Sequence, residues 1–220
     1  MTRKNKQPPV EDRPWLAQIT LYDTHVHLAH HSQRGVVSKN VTADSLATAL
    51  AGVPASTGVL PQNTVFYTAV GTDTYLGVYI KPGLYDLMTP QGTYRIPLPG
   101  MIFAGYKRTY ELYALKGKGW PDERTPLYYP PTPNIFNNGV ICQGEMTFPE
   151  CTVGNIWQVW KTYVVGSYFT GHLASNRHKD KGSIFDFWAA LQKKKAKVFP
   201  QDQLMPFDGK RLRDLVGKYA

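Results

Sequence analysis

Cysteine is scarce in this chain of 220 residues, which contains only Cys142 and Cys151. Two cysteines exclude a disulfide scaffold and a zinc site built from four thiolates. Long apolar runs are also missing, since no stretch approaches the roughly 18 apolar residues of a membrane-spanning helix and no apolar segment follows the basic N-terminal residues as in a signal peptide. The sequence therefore predicts a cytoplasmic protein with reduced thiols and no membrane partner.

Acidic residues are few: 16 Asp and Glu stand against 25 Lys and Arg, which gives a formal net charge of +9. From Arg177 to the C-terminus there are eleven basic residues and five Asp, so this segment alone contributes +6. A basic segment of this kind binds an acidic protein, a nucleic acid, or nothing specific. Because no aromatic residues are interleaved with Lys193, Lys194 and Lys195, nucleic acid is the weaker alternative, and we expect the segment to help dock a protein partner.

The length allows one well-packed domain with extensions at both ends. Residues 1–14 are rich in basic residues and proline, which predicts a flexible arm. From Trp15 to Leu28, apolar and polar residues alternate as in a strand, and the alternation changes phase at Asp23, where we expect a bulge or a turn. His30 and His31 are expected in the loop that follows. A short helix is predicted over residues 40–52, capped by Thr42 and ended by Gly52.

The middle of the chain has the composition of β-strands. Four segments are rich in aromatic and β-branched residues and are bounded by Gly, Pro or Asp, namely residues 64–70, 74–80, 92–96 and 109–115. This spacing predicts a four-stranded antiparallel meander. Apolar residues at helical spacing then predict helices over residues 153–169, 183–195 and 210–219, of which the second has a capping serine, Ser183, and the third is basic.

One of the two cysteines ends a distinctive segment, residues 132–142. Three prolines at positions 130, 131 and 133 favour an extended and stiff approach. Asn137, Asn138 and Gly139 tolerate the positive φ angles of a tight turn, and the β-branched Val140 and Ile141 favour a strand directly before Cys142. The segment therefore predicts a thiol held at a fixed position beside a rigid loop.

The same segment resembles the active-site segment of ubiquitin-conjugating enzymes, in which His-Pro-Asn precedes a variable turn and Gly-x-Ile-Cys. The matching residues are Pro133-Asn134 and then Gly139 to Cys142, with Thr132 at the position of the family's His. The segment Tyr168-Phe-Thr-Gly-His172 is similar to the histidine-bearing segment of prokaryotic ubiquitin-conjugating-like family D, to which the PRTRC system protein B belongs. The resemblance covers roughly residues 90–175 through several short pieces in the same order.

The resemblance implies an α+β ubiquitin-conjugating-like fold, an antiparallel β-meander flanked by helices. The residue patterns outside the resemblance add an N-terminal strand extension and a basic C-terminal helical extension. Together with the reading of the residues outside the resemblance, this predicts the domain with its N-terminal extension over residues 15–176 and the C-terminal extension over residues 177–220. Cys142 would carry a ubiquitin-like protein as a thioester, received from a ThiF-like activating enzyme, and a JAB-type deconjugating protease would belong to the same system.

Asn134 would stabilise the oxyanion. His172 would orient or deprotonate the nucleophile and is expected within about 10 Å of the Cys142 sulfur. No cofactor and no metal is implied.

Two alternatives remain open. A catalytically inactive scaffold of the same fold would not need the thiol, and Cys142 would then be a small apolar residue. The segment Asp23-Thr-His25-Val-His27 also resembles the opening motif of metal-dependent hydrolases, whose His pair lies on the first strand of a β/α barrel. Only His172 and His178 remain as later histidine ligands, and strands do not alternate with helices, so this is the more distant alternative.

Overall fold

The computed structural model describes residues 17–32, 35–51, 57–70, 73–175 and 177–219. The predicted arm over residues 1–14 lies outside these residues. The chain divides into two compact units, one ending at Gly58 and the other beginning at Val59. Each is described separately.

In its described residues, the first unit contains a three-stranded antiparallel sheet and one helix. Its elements are β1 (Ala17–Leu21), β2 (Val26–Ser32), β3 (Gly35–Val41) and α1 (Ala43–Ala51), with strand order β1-β2-β3. The change of phase at Asp23 is confirmed as the turn between β1 and β2. The Thr42 hydroxyl accepts a hydrogen bond from the Ser45 amide, which confirms the predicted cap. The placement of His30 and His31 in a loop was wrong: they continue β2, because β3 pairs with this strand along its whole length.

The second unit is built on a six-stranded sheet with the order β11-β10-β9-β8-β5-β4. Its strands are β4 (Thr64–Val70), β5 (Asp73–Ile80), β8 (Gly100–Tyr106), β9 (Thr109–Leu115), β10 (Pro126–Tyr128) and β11 (Pro206–Arg211). Two further strands, β6 (Gly83–Thr89) and β7 (Gly92–Leu98), form a separate hairpin between β5 and β8. The antiparallel α+β fold is as predicted.

The third strand of the predicted meander was misplaced. Residues 92–96 lie in β7 of the hairpin, and β8, which had not been predicted, occupies the place between β5 and β9. Nearly every residue of β8 is buried, so its sequence lacks the alternation of apolar and polar residues by which a half-exposed strand is identified.

Both faces of the large sheet are covered. One face packs against α2 (Ile156–Gly166), α3 (Ile184–Lys193) and the β6–β7 hairpin, with Trp160 and Trp188 in the shared core. The other packs against the C-terminal residues Phe207, Leu212 and Leu215. Along β5, β8 and β9, side chains alternate between the two cores, as the period of a strand requires. The sheet is therefore a rigid support for the loops at its edges.

The helices after Cys142 are shorter than predicted, and the last one is preceded by a strand. The Ser183 hydroxyl accepts from the Asp186 amide at the start of α3, as its sequence predicts. Residues predicted as one basic helix form β11, α4 (Leu212–Val216) and a 3-10 turn (Gly217–Tyr219). The Lys218 ammonium pairs with the buried carboxylate of Glu111, which anchors this C-terminal segment to β9.

The described strands all pair in the antiparallel sense, which contradicts the β/α-barrel alternative. His25 lies in the turn before β2, where its ring stacks on Tyr22 at 4.7 Å between centroids, and His27 lies within β2. Over the described ranges, no cluster of three or more His, Cys, Asp or Glu is arranged to hold a metal ion. None of the helices in these ranges has the length and apolar character needed to span a lipid bilayer.

Candidate functional site

The segment before Cys142 folds into a small hairpin. Ile135 pairs with Ile141 in the antiparallel sense, and the Phe136 amide donates to the Val140 carbonyl at 2.8 Å. Of the three turn residues, Gly139 alone has a positive φ, at 86°, and a Cβ there would lie 2.4 Å from the Tyr113 ring. Glycine is therefore required at this position by both its backbone angle and its neighbour.

The hairpin is hydrogen-bonded to strand β9 of the large sheet. The Leu112 amide of β9 donates to the Gly139 carbonyl at 2.9 Å, and the Ile141 amide donates to the Tyr110 carbonyl at 2.8 Å. Ile141 is buried, which confirms that an apolar strand residue anchors the segment. Cys142 follows directly, with a partly exposed and free thiol. The sheet thus fixes the backbone on which the thiol is carried.

Asn134 connects this hairpin to the segment that follows α2. Its carbonyl accepts from the Cys142 amide at 2.8 Å, and its own amide donates to the His172 carbonyl at 3.0 Å. Its side chain donates from Nδ2 to the Tyr168 carbonyl at 2.9 Å, and its Oδ1 accepts from the Thr170 hydroxyl at 3.1 Å. Asn134 adopts a left-handed backbone with φ 61°, a conformation that asparagine tolerates better than most residues. It therefore holds the cysteine and histidine segments together.

The three residues expected at the site line one cavity of about 540 Å³. Around it lie the loop after the cysteine and the end of α2, with Gln143, Met146, Ser167 and Tyr168 among the lining residues. Within the described part of the chain, the exposed imidazole of His172 has no hydrogen-bond partner, so both of its nitrogens are available to the cavity. The structure brings Cys142, Asn134 and His172 to a common cavity; the expected sulfur-to-imidazole distance stays a prediction.

The second thiol, Cys151, has different surroundings. It is 5% exposed and lies in the core between the sheet and α2. Burial raises the pKa of the Cys151 thiol to about 12, against a smaller lowering effect of the Tyr110 hydroxyl. Since the thiolate is the reactive form of cysteine, Cys151 is an inert thiol at neutral pH.

Arg177 contributes to the site although the sequence had marked it only as the start of the basic segment. It is 2% exposed; its Nε donates to the Leu173 carbonyl at 3.0 Å, and its Nη2 donates to the Ile135 carbonyl. The guanidinium lies over the Tyr129 ring at 5.7 Å. One side chain thus binds the neighbours of both Asn134 and His172. No spacing in the sequence indicates this contact, because the two carbonyls belong to the backbone.

Thr132, at the position of the family's His, lies away from the cavity. It is 1% exposed, and in the described residues its hydroxyl has no hydrogen-bond partner. The neighbouring Pro131 carbonyl accepts from the Trp188 indole at 3.0 Å, which fixes this stretch in the core. The histidine that lines the cavity with Cys142 is therefore His172, from a later segment of the chain.

The chain was compared with known proteins and protein families. No curated protein and no solved structure is significantly similar to the chain. The sequence model of prokaryotic E2 family D, in which E2 denotes a ubiquitin-conjugating enzyme, matches residues 42–207. The matched range is 166 of the 220 residues and includes the hairpin, Cys142 and His172. The chain belongs to prokaryotic E2 family D.

Proposed function

We propose that this protein is a carrier of a ubiquitin-like protein, which it holds as a thioester on Cys142 and transfers to a target nucleophile. One observation carries the proposal: a free, partly exposed thiol lies at the end of a hydrogen-bonded hairpin, in a cavity shared with Asn134 and His172. Membership of an E2 family supports a role in ubiquitin-like conjugation in general. The carrier step on Cys142 is our inference.

Loading is a transthioesterification. The Cys142 thiolate attacks the thioester carbonyl that joins the C-terminus of the ubiquitin-like protein to a cysteine of the activating enzyme. A new carbon–sulfur bond forms, the old one breaks, and the activating enzyme's thiolate leaves. The sheet-bound hairpin favours this reaction because the sulfur is held in place before the partner arrives, and little conformational entropy is lost on reaching the reactive geometry.

Discharge requires an acceptor amine to attack the thioester. We assign to His172, which lines the cavity, the role of accepting the proton that the amine loses, while Cys142 leaves as a thiolate. The carbonyl oxygen becomes negatively charged during the attack. The Asn134 amide has two hydrogens, of which one is donated to the Tyr168 carbonyl, and we assign the second to this oxygen. Asn134 therefore combines an observed structural role with a proposed catalytic one.

The proposal requires partners. We expect a ubiquitin-like protein and a ThiF-like activating enzyme, with a JAB-type protease that reverses the modification, all in the cytoplasm. Acidic surfaces on the first two would complement the basic residues of the segment after Arg177. Replacing Lys193, Lys194 and Lys195 by Glu should weaken binding to the activating enzyme, and unchanged binding would remove this part of the proposal.

The test is a loading reaction with the activating enzyme, ATP and the cognate ubiquitin-like protein. An adduct should appear on a non-reducing gel and disappear with added thiol, because a thiol cleaves a thioester. Cys142→Ala should abolish the adduct, and Cys151→Ala should leave it intact. Cys142→Ser should trap a more durable ester, since an alkoxide is a poorer leaving group than a thiolate.

The variants also separate the roles of the residues. His172→Ala should load normally but transfer its cargo to an added amine at least about tenfold more slowly, since general-base catalysis typically contributes more than that factor. A charged activating enzyme that leaves Cys142 unmodified, as judged by intact mass, would contradict the carrier proposal and favour the inactive scaffold of the same fold.

A further inference from the structure

A second cavity lies in the unit that begins at Val59, and none of its lining residues lines the cysteine cavity. It has a volume of about 500 Å³, within the range of ligand-binding clefts. Its walls come from four separate stretches: the ends of β5 and β7, the loop after β9, and the segment between α3 and β11. We refer to it as the lysine groove, after Lys81, Lys118 and Lys197, which line it.

The walls of the lysine groove are apolar, and hydrogen bonds connect two of the chain segments that form them. Leu98 and Phe199 are buried in the core and present a fixed surface, while the Trp120 ring, 59% exposed, meets the Tyr79 ring edge-on at 5.7 Å between centroids. The Gln201 side chain accepts from the Gly117 amide at 2.7 Å and donates back to its carbonyl at 3.4 Å. This bidentate contact ties the loop that bears Trp120 to the segment that bears Lys197.

All the charged side chains that line the lysine groove are positive. Lys81, Lys118 and Lys197 are exposed and come from different stretches of the chain, and no Asp or Glu is among the lining residues. In the described ranges, none of the three ammonium groups forms an ion pair. An apolar wall with an exposed tryptophan, edged by three unneutralised cations, is complementary to a ligand that carries both apolar groups and negative charge.

We propose that the lysine groove binds an acidic peptide segment of a partner protein, with an apolar side chain packed against Trp120 and flanking carboxylates near the three lysines. Single-stranded nucleic acid fits less well, because Trp120 is the only exposed aromatic residue of the groove and stacking of successive bases requires several. Arginine, which favours bidentate phosphate contacts, is also missing from its lining. The chain's own residues 1–14 carry four basic residues against two acidic ones and are not complementary.

The proposal is tested by fluorescence anisotropy with a labelled peptide in which Asp and Glu flank a central Leu-Phe pair. The matched peptide with Asn and Gln in place of the acids should bind at least about tenfold more weakly. Lys81→Glu, Lys118→Glu and Lys197→Glu in one chain should weaken binding of the acidic peptide by about tenfold or more, since each exposed contact contributes up to about a factor of five. Trp120→Ala should weaken both peptides alike.

A matched control separates the groove from the overall charge. Lys39, Arg108 and Lys161 are exposed residues outside both the groove and the basic segment after Arg177, and their joint replacement by Glu changes the net charge by the same amount. This variant should bind the acidic peptide within about threefold of the wild type. An equal loss in both triple variants would overturn the proposal, because binding would then follow net charge alone.

Two further outcomes decide the ligand class. Absence of binding to the acidic peptide overturns the proposal, and so does tighter binding of a labelled single-stranded oligonucleotide that the groove variant abolishes. Thermal unfolding of each variant checks that it is folded. The proposal does not rest on thioester chemistry: Cys142→Ala should bind the acidic peptide as the wild type does, so failure of the carrier function and failure of the groove are distinguishable.

Discussion

The two cysteines lie nine positions apart in the sequence and have opposite environments. Cys142 is partly exposed at the end of a hairpin and lines a cavity that His172 also lines. Cys151 is packed in the core, and its sulfur would lie 2.7 Å from a Cβ at Gly105 of β8. The same side chain is therefore partly exposed at a cavity in one case and packed in the core in the other.

The amide bonds of the two cysteines do not explain the difference. The amide of Cys142 donates to the Asn134 carbonyl, and the amide of Cys151 donates to the Lys107 carbonyl in the turn between β8 and β9. The difference lies in what surrounds each side chain. Cys142 lines the cavity that Asn134 and His172 also line, whereas Cys151 packs in the core between the sheet and α2.

The sharpest test of this comparison is alkylation of the folded protein at pH 8, for which we expect the largest effect. With a thiol pKa of about 12, roughly one Cys151 in ten thousand is ionised, against about one in four for an ordinary exposed cysteine. Cys151 should therefore react at least about a thousandfold more slowly in the folded chain than in urea. Peptide mass mapping after iodoacetamide treatment measures the two sites separately.

The variants provide the control. Cys142→Ala should leave almost no labelling of the folded protein, and Cys151→Ala should leave labelling close to that of the wild type. Fast modification of Cys151 without denaturant would mean that the core between α2 and the sheet opens readily, and the contrast between the two thiols would be lost.

Much of this arrangement follows from local sequence. The cap of α3 at Ser183, the turn at Asp23, and the anchoring of the cysteine segment by Ile141 were all predictable, because each depends on neighbouring residues. The strand β8 and the hairpin β6–β7 were not: β8 is buried on both faces and shows no alternation, and the assignment of residues 92–96 to a hairpin depends on which strands pair. Pairing between distant strands is a property of the whole chain.

In the candidate site as well, some features were predictable from the sequence and others were not. The family pattern indicated Asn134 and Cys142, and the segment at His172 was similar to one that follows the cysteine in family D. The bonds that connect these segments, from Asn134 to the Tyr168 carbonyl and from Arg177 to the Ile135 and Leu173 carbonyls, involve backbone acceptors. Every residue has a backbone carbonyl, so a hydrogen bond to a carbonyl does not require a particular residue type at that position. These bonds could therefore not be predicted from the sequence.

Two glycines on either side of Cys142 offer a second test, with a smaller effect, of how far the sheet supports the hairpin. Gly139→Ala combines a positive φ of 86° with a contact of 2.4 Å to Tyr113, and should lower the free energy of unfolding by about 3 kcal/mol. Gly144→Ala also has a positive φ, of 58°, but no atom lies within 4 Å of its Cβ, so its cost should be about 1 kcal/mol.

Urea unfolding followed by tryptophan fluorescence measures both values. Since Gly139 pairs with β9 through the Leu112 amide, Gly139→Ala should also change the rate of Cys142 alkylation, whereas Gly144→Ala should leave the hairpin in place. Equal losses of stability in the two variants would show that the Tyr113 ring moves aside without cost, and the hairpin would then be less rigidly supported than the contacts indicate.

The smallest expected effect concerns the pH dependence of stability. In the unfolded chain, Cys151 loses its proton near pH 8.5, the ordinary value for cysteine, whereas in the folded protein burial keeps the thiol protonated up to about pH 12. Between these values the folded state binds more protons than the unfolded state, so the contribution of Cys151 to stability is complete below pH 8.5 and is lost as the pH rises.

Comparing the wild type with Cys151→Ala measures this contribution together with its coupling to Tyr110, whose pKa is raised by burial and, to a smaller extent, by Cys151. The other buried tyrosines, whose pKa values are also raised by burial, remain in both proteins. Below pH 8 the two curves of unfolding free energy against pH should run parallel. The variant's curve should lie lower by the packing energy that is lost when the buried sulfur is removed. Above pH 9 the wild type should lose about 1 kcal/mol more per pH unit than the variant. Curves that stay parallel up to pH 10.5 would mean that Cys151 ionises in the folded protein as readily as in the unfolded chain, and burial could then not be the reason that the two thiols differ.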